Sequence, residues 1–374
     1  MRYLLIIGLC ALGCDTPSAP KAPEPVVTKQ KQSPKKLTIL DELSIPTLNE
    51  WTDRYADGKK GDVRFFNITR LMNKFGLSRL QAVELQNQYR DLTRAAPETS
   101  RVDALQTALD AVKKGELESG VDAQALAKAK FTIVFDLDDT LYDQYYPGGE
   151  TCHGVAFKRQ NGKMKYIQPI PGWTEAIKRI VALGGKVVLF SANLDETTLE
   201  NLAQMKIDDV PLTQSPLISG IMTNSHLTQQ EKTEPPGSRL TPRKGRPVIE
   251  PSKDLRHFDP SLERVIIVDD NPLRLFQYRN TRLFKKFHAD DWCTTKDEVK
   301  KAAYDRAMLT VVKEIEESLA YMEANRDVNF ATAYLPYSYL GRVAVQFVMD
   351  GKNWTRAQAN AYVRTHPDVV DARF

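Results

Sequence analysis

The sequence has few cysteines, little net charge and no long apolar run, and each shortage excludes a class of protein. The four cysteines fit no zinc-ligand spacing. The formal net charge of +4 is too small to indicate a nucleic-acid partner, and none is predicted. No stretch approaches the ~18 apolar residues that a membrane-spanning helix needs. Apolar residues make up 42% of the chain and charged residues 27%, which is ordinary for a globular protein.

The first residues have the pattern of an export signal. A basic residue precedes an apolar stretch that ends in small residues at Gly13, directly before Cys14. The four residues that end at Cys14 resemble a bacterial lipobox, although Ala11 stands where leucine is usual. In such signals the cysteine is lipidated and becomes the first residue of the mature protein. We expect a signal peptide over residues 1–13 and an exported protein that is lipid-anchored at Cys14 to a bacterial cell-envelope membrane. The alternatives are an ordinary signal peptide and a cytosolic chain.

Composition divides the rest of the chain into four parts. Residues 14–37 are rich in proline and poor in apolar side chains, which predicts a disordered tether. Residues 38–128 predict a helical accessory region with no catalytic constellation, and Ser78-Arg-Leu-Gln81 has the form of a capping box. Residues 129–295 predict an α/β catalytic domain. Residues 296–374 predict a helical C-terminal extension.

Acidic side chains follow directly on the apolar run Phe131–Phe135. β-Branched and aromatic residues dominate this run, which predicts a buried strand, and Asp136, Asp138, Asp139 and Thr140 come after it. In an open α/β sheet, ligands bind beyond the carboxyl ends of the strands. The sequence therefore predicts that these carboxylates and this hydroxyl lie at a ligand site.

Two further strands are predicted to end at the same edge. Val265–Val268 is followed by Asp269 and Asp270, and Lys186–Phe190 is followed by Ser191. Strands that alternate with helices through this part of the chain predict a doubly wound parallel sheet. Paired carboxylates at two strand ends favour a hard divalent cation, most simply Mg²⁺.

Two excursions from the sheet and one pair of cysteines are also apparent. Asn161-Gly162 between short apolar runs predicts a β-hairpin over residues 153–168, near the site. Residues 223–252 are rich in Pro, Gly, Lys and Arg and predict a long surface excursion. Cys152 and Cys293 either form a disulfide or remain free thiols, and the sequence leaves both open.

Carboxylates, a hydroxyl, a lysine and Mg²⁺ together suit phosphoryl transfer. The transferred group needs its charge neutralised and its attacking and leaving oxygens aligned. A carboxylate can act as the nucleophile and pass the group through an aspartyl-phosphate. The lysine that precedes the last acidic strand is Lys253, and Lys244 is its rival.

The order of these residues resembles the haloacid dehalogenase-like hydrolase superfamily, phosphatase branch. Within it the chain is most similar to the small phosphatases related to RNA polymerase C-terminal-domain phosphatases (NLI-interacting-factor-like). The motifs are matched, in order, by Asp136-Leu-Asp138-Asp139-Thr140, by Ser191, by Lys253 and by Asp269-Asp270. The helical regions on either side are not covered by the resemblance.

The resemblance implies a role for each residue of the first motif. Asp136 would attack phosphorus and also ligate Mg²⁺. Asp138 would protonate the leaving oxygen and then activate water, while its backbone carbonyl touches the metal. Thr140 would orient the loop.

The resemblance also implies roles for the later motifs. Ser191 and Lys253 would hold the phosphoryl oxygens. Asp270 would ligate Mg²⁺ directly, and Asp269 would support the metal through water or through Lys253.

We therefore expect a Mg²⁺-dependent phosphomonoesterase whose partner is a phosphorylated substrate. The resembled family acts on phosphoproteins inside eukaryotic cells, whereas this chain carries an export signal. A phosphoprotein, a nucleotide and another small phosphomonoester thus all remain as substrates. The alternatives are a catalytically weak lipoprotein of the same fold that binds a phosphorylated partner, and a phosphotransferase or other hydrolase of the superfamily.

Overall fold

A computed structural model describes residues 38–45, 62, 64–115, 120–145, 154–232 and 248–371. The predicted signal peptide, tether and lipidation site, together with Lys244 and Cys152, lie outside these residues. From residue 38 onwards the chain forms one compact unit. No helix in the described ranges is long and apolar enough to cross a membrane.

Helices fill the part of the described chain that precedes the first strand. They are α1 (Ile39–Leu43), α2 (Ile68–Phe75), α3 (Arg79–Ala95), α4 (Arg101–Lys114) and α5 (Ala123–Lys128). The predicted capping box starts α3, because the Ser78 hydroxyl accepts from the Gln81 backbone N–H and the Gln81 side chain accepts from the Ser78 backbone N–H. The apolar faces of α1 to α4 meet in a core of their own, which includes the fully buried Tyr89.

The strands alternate with further helices in the rest of the chain. The strands are β1 (Phe131–Phe135), β2 (Tyr142–Gln144), β3 (Val155–Lys158), β4 (Met164–Pro169), β5 (Gly185–Phe190), β6 (Lys206–Ile207), β7 (Val210–Pro211), β8 (Ile218–Met222), β9 (Thr228–Lys232), β10 (Val248–Ser252), β11 (Val265–Asp269) and β12 (Thr281–Leu283). The helices are α6 (Trp173–Ala182), α7 (Asp195–Gln204), α8 (Ala289–Thr294), α9 (Glu298–Asp305), α10 (Ala307–Ala324), α11 (Phe330–Tyr334), α12 (Tyr339–Lys352), α13 (Arg356–Thr365) and α14 (Asp368–Asp371).

Five strands form a parallel sheet in the order β12-β11-β1-β5-β8. This confirms the predicted doubly wound parallel sheet with helical extensions before and after it. The predicted strands β1, β5 and β11 form its centre, while β8 and β12, which were not predicted, form its edges. From β1 the chain passes through β5 to β8 on one side of the sheet, and it then returns to form β11 and β12 on the other side. The strand order therefore reverses between β1 and β11. Ligand sites of open α/β sheets lie at such a reversal.

The central strands bury both faces, as a doubly wound sheet requires. Ile133 and Phe135 of β1 pack on one side with α6 and α10, whereas Val134 packs on the other side with Leu255 and Phe258. Each face therefore has its own apolar core, and the polar end of β1 emerges between the two.

The C-terminal helices complete one of these cores. Phe330 of α11 stacks on Phe131 of β1, with 4.8 Å between ring centroids. Met308, Val312, Ile315 and Leu319 of α10 are buried in the same core. The C-terminal extension is thus part of the packing that supports the sheet.

Two smaller antiparallel elements flank the site edge of the sheet. The predicted hairpin forms from β3 and β4, and β2 joins it to give the order β2-β4-β3. Near its two ends, the segment predicted as a surface excursion forms β9 and β10, which pair with each other as an antiparallel ribbon. This pairing returns the chain to the sheet directly before Lys253.

Cys293 in α8 is disulfide-bonded. Of the two alternatives left open for this residue, the free thiol is therefore wrong. The other three cysteines lie outside the described residues, so Cys152 as the partner stays untested.

Candidate active site

Main-chain hydrogen bonds hold the loop that follows β1. The Asp136 N–H donates to the Val268 carbonyl at 2.9 Å, which places the first carboxylate beside the end of β11. Asp139 has a φ of +61°, a left-handed conformation that Asp tolerates better than most residues. The N–H groups of Leu141 and Tyr142 both donate to the Leu137 carbonyl, at 2.8 and 3.0 Å. This tight turn directs the chain into β2 and leaves the acidic residues at the carboxyl edge of the sheet.

Uncharged side chains hold the Asp138 carboxylate on two sides. Ser191 Oγ donates to Asp138 Oδ2 at 3.1 Å, and Gln144 Nε2 donates to Asp138 Oδ1 at 2.6 Å. Ser191 Oγ in turn accepts from the Asn193 N–H at 2.9 Å. These two hydrogen bonds fix the orientation of the carboxyl group.

Lys253 joins the two acidic strand ends. Its Nζ lies 2.5 Å from Asp136 Oδ1 and 2.7 Å from Asp269 Oδ2, and its side chain is 1% exposed. The Lys253 N–H donates to the Arg274 carbonyl at 2.8 Å, so the backbone positions the base of the side chain. The structure therefore brings Lys253 to the acidic edge, while its rival Lys244 lies outside the described residues.

Burial dominates the electrostatics of this cluster. It raises the pKa of Asp136 well above its usual value, and the Asp269 charge raises it further, while Lys253 acts in the opposite direction. Burial alone would lower the pKa of Lys253, but Asp136 and Asp269 outweigh it and raise that pKa to about 12. Burial and the neighbouring Asp269 also raise the pKa of Asp270. The lysine is therefore protonated, and the carboxylates repel one another.

Three carboxylates are arranged so that they could hold a cation. One oxygen from each of Asp136, Asp269 and Asp270 lies within 4.8 Å of the other two. Oxygen ligands of this kind fit Mg²⁺. With all three carboxylates ionised, one ammonium group leaves the cluster with an excess of negative charge that a divalent cation would balance.

The remaining predicted residues lie at the edge of this cluster. Thr140 Oγ1 donates to Asp270 Oδ1 at 3.3 Å, and the Asn271 N–H donates to Asp269 Oδ1 at 2.8 Å. The Asp138 side chain is not one of the three clustered carboxylates. A contact between the Asp138 backbone carbonyl and a metal stays an expectation. The structure thus brings all seven predicted residues to one edge of the sheet.

Sequence reasoning missed some residues that surround the site. Gln144 stands in no motif, although it makes a short contact with Asp138. Lys286 Nζ lies 2.5 Å from an Asp139 carboxylate oxygen and follows β12, a strand that was itself not predicted. A basic residue close after a strand was the one available signal for Lys286.

The N-terminal helical region reaches the site. Arg79, the first residue of α3, lies 3.1 Å from the buried carboxylate of Asp254, which follows Lys253 directly. Arg256 and Gln277 also donate to Asp254. The region therefore supports the loop that carries Lys253.

The comparison with protein families supports a phosphatase at the level of the family. Residues 131–301, somewhat less than half of the chain, match the family described as NLI interacting factor-like phosphatase. The matched segment contains all seven predicted site residues. It agrees with the haloacid dehalogenase-like phosphatases expected from the motifs.

Comparisons with individual proteins add less. No curated protein matches the chain. A structure of the RNA polymerase II CTD phosphatase Fcp1 from fission yeast, bound to beryllium fluoride, is 13% identical with a TM-score of 0.32, and the match covers 62% of this chain and 68% of that one. A second structure of Fcp1 is 12% identical with a TM-score of 0.31, and the match covers 62% and 69% of the two chains. Scores this low do not by themselves establish a shared fold.

Proposed function

We propose that the protein is a Mg²⁺-dependent phosphomonoesterase that works through an aspartyl-phosphate on Asp136. The observation that carries this proposal is the position of Lys253, whose ammonium group bridges Asp136 and Asp269 at the end of the parallel sheet. Beside it stand Asp138, held by neutral partners, and the three-carboxylate cluster. The family match over residues 131–301 supports the same class of reaction.

In the first step a carboxylate oxygen of Asp136 bonds to phosphorus, and the bond from phosphorus to the leaving oxygen breaks. Asp138 gives its proton to that leaving oxygen. Lys253 and Ser191 hold the oxygens of the transferred group through charge and hydrogen bonding. Mg²⁺, held by Asp136, Asp269 and Asp270, would neutralise negative charge on the transferred group.

In the second step water attacks the phosphorus of the aspartyl-phosphate. Asp138, now ionised, accepts a proton from that water, and the bond between phosphorus and Asp136 breaks. Inorganic phosphate leaves, and Asp138 is again protonated. The same carboxyl group therefore serves as acid and then as base, and Ser191 and Gln144 hold it in position.

The first experiment uses the full chain with p-nitrophenyl phosphate, in Mg²⁺ and in EDTA. We expect turnover in Mg²⁺ alone. In Asp138→Asn, the good leaving group should still depart, while the attacking water lacks its base. We therefore expect a burst of about one p-nitrophenolate per enzyme, followed by slow turnover.

Asp327→Asn is the matched control, because Asp327 is exposed and remote from the site along the chain. It should behave as the wild type does. No turnover by folded wild-type protein in Mg²⁺, or full steady-state turnover by Asp138→Asn, contradicts the proposal.

We also propose, from the sequence alone, that the protein is exported and lipid-anchored at Cys14. The test is incorporation of labelled palmitate during expression in a bacterium, followed by membrane fractionation. Label and membrane association should both disappear in Cys14→Ser and persist in Cys293→Ser. Label retained by Cys14→Ser rules out this anchor.

A further inference from the structure

A cavity of about 350 Å³ lies where α3, the β3–β4 hairpin and the segment after β5 meet. Helix α3 lines it with Asn87, Arg90 and Arg94, the hairpin with Arg159, and the loop before β9 with Asn224. We refer to it as the arginine pocket. Its volume lies at the lower end of the range for small-molecule sites.

Arg90 is the cation of this pocket whose charge is least satisfied. Its Nε atom is buried and has no hydrogen-bond partner, and among the described residues no carboxylate lies within ion-pair distance of its guanidinium. The guanidinium lies 4.6 Å from the centre of the Phe65 ring, which positions it. Burial and the neighbouring Arg94 lower the pKa of Arg90, whereas Asp91 and Asp195 act in the opposite direction. A partly buried guanidinium without an anionic partner is costly, so an anion in the pocket would supply the counter-charge that Arg90 lacks.

The other two arginines already have acidic partners. Arg94 Nη1 lies 3.3 Å from Asp91, and Arg159 Nε lies 2.6 Å from Glu200. Arg159 Nη2 also donates to Thr197 Oγ1 at 2.9 Å. Asp195, which also lines the pocket, accepts from the Ser225 N–H at 3.3 Å. Glu196 also lines the pocket, and both Glu196 and Asp195 are exposed to solvent. Arg90 is therefore the one cation of the lining that makes no ion pair within the described residues.

The arginine pocket adjoins the carboxylate site. Leu194 in its lining follows Ser191 by three residues, so their Cα atoms are at most about 11 Å apart. Hydrogen bonds join the two places, from the Asn224 N–H to the Asn193 carbonyl at 3.0 Å and from the Asn193 N–H to Ser191 Oγ at 2.9 Å. The charges of Arg159 and Asp138 both act on the pKa of Lys165 in β4, the first lowering it and the second raising it. One small molecule can therefore reach both places.

We propose that the arginine pocket binds a second anionic group, a phosphate or a carboxylate, of the molecule whose phosphoryl group is removed. This inference rests on the proposed function and narrows its substrate class to small phosphomonoesters with an anionic far end. It also assigns a recognition role to the N-terminal helical region, because Arg90 belongs to α3. The phosphate and carboxylate alternatives share the chemistry that Arg90 recognises.

The experiment compares alkyl monophosphates of increasing length, each ending in a methyl, a carboxylate or a second phosphate group. For the full chain in Mg²⁺, we expect kcat/KM to favour one of the anionic series over the methyl series, at a length that spans both places. The series that is favoured tells phosphate from carboxylate. In Arg90→Gln this preference should fall roughly tenfold or more, chiefly through KM. Arg94→Gln should weaken it less, because Arg94 already has a partner.

Arg356→Gln is the matched control, because Arg356 is exposed on α13. It should keep the preference of the wild type. Turnover of all three series without preference, or a preference that survives both Arg90→Gln and Arg94→Gln, overturns the inference and leaves the proposed function intact. If no series is turned over, the proposed function fails. The pocket is then tested by thermal shift with inorganic phosphate, where stabilisation should depend on Arg90 and not on Arg356, and equal stabilisation of both variants overturns the inference.

Discussion

Two charge clusters, one open and one closed, differ in how fully their carboxylates are paired. The open cluster consists of Asp136, Asp269, Asp270 and Lys253, where three carboxylates share one ammonium group. The closed cluster centres on Glu314 of α10, which accepts from Arg282 of β12 at 3.0 Å through both carboxylate oxygens, from Arg342 at 2.7 Å and from Tyr334 at 2.8 Å.

The difference between the clusters separates chemistry from structure. The Glu314 carboxylate has its oxygens filled by protein donors, so it ties the C-terminal helices to the edge of the sheet. The open cluster has fewer donors than its carboxylates can use and lies at the edge where ligands bind. A buried group without enough partners is costly, and functional sites tolerate such a cost.

The largest expected effect comes from breaking the open cluster at its nucleophile. Asp136→Asn should lower kcat for p-nitrophenyl phosphate by roughly 10³-fold or more, because an amide cannot accept the phosphoryl group. The urea midpoint should change far less than in a variant of the closed cluster. Asp327→Asn should match the wild type in both measurements. If Asp136→Asn keeps its activity, the nucleophile is another residue.

Breaking the closed cluster should have the opposite outcome. Glu314→Gln leaves the buried Arg282 without its counter-charge and should lower the free energy of unfolding by about 3–5 kcal/mol, measured in urea. The kcat of the protein that remains folded should be unchanged. The matched variant is Glu316→Gln on the same helix, which breaks an exposed pair with Arg179 and should cost at most about 1 kcal/mol. Equal losses from both variants contradict the contrast between buried and exposed pairs.

Binding of Mg²⁺ should stabilise the open cluster alone. At 100 times its dissociation constant, Mg²⁺ should raise the free energy of unfolding by about 2.7 kcal/mol, because it binds the folded state. Asp270→Asn should lose most of this gain, whereas Glu316→Gln should keep it. The measurement is urea unfolding with and without Mg²⁺ at constant ionic strength. Equal stabilisation of the wild type and Asp270→Asn places the cation elsewhere.

The smallest expected effect concerns Glu84 in α3, a carboxylate that makes no ion pair within the described residues. Its Oε1 is buried without a hydrogen-bond partner among those residues, and burial raises the pKa of Glu84 from 4.5 to about 7. The folded state therefore binds more protons than the unfolded state between these values. Glu84 stabilises the fold most below pH 4.5, and this contribution is lost as the pH rises through about 7.

Glu84→Gln should remove this pH dependence. The free-energy contribution that is lost across this pH range should be about 1–2 kcal/mol, a value that allows for the partial exposure of the side chain. The measurement is the difference in free energy of unfolding between wild type and variant at several pH values across this range. Glu98→Gln, at an exposed position, is the control and should follow the wild type. A difference that does not change with pH contradicts the prediction.

Local pattern was enough to predict the parts of the site that are close in sequence. The carboxylates after Phe135 and Val268 lie where short apolar runs end, and a strand's end places its next residues at the sheet edge whatever the rest of the fold does. The capping box at Ser78 and the hairpin at Asn161-Gly162 are likewise local, because each depends on hydrogen bonds within a few residues. The edge strands β8 and β12 were missed, since short or weakly apolar runs carry little signal of their own.

The sequence by itself determined which acidic and hydroxyl side chains stand at the ends of the central strands. Only the tertiary structure decided that Lys253 bridges Asp136 and Asp269, that Glu314 closes its own cluster, and that Arg90 faces a pocket beside the site. Each of these contacts joins residues far apart along the chain. Such contacts depend on how whole elements pack, and no spacing within the sequence records that packing.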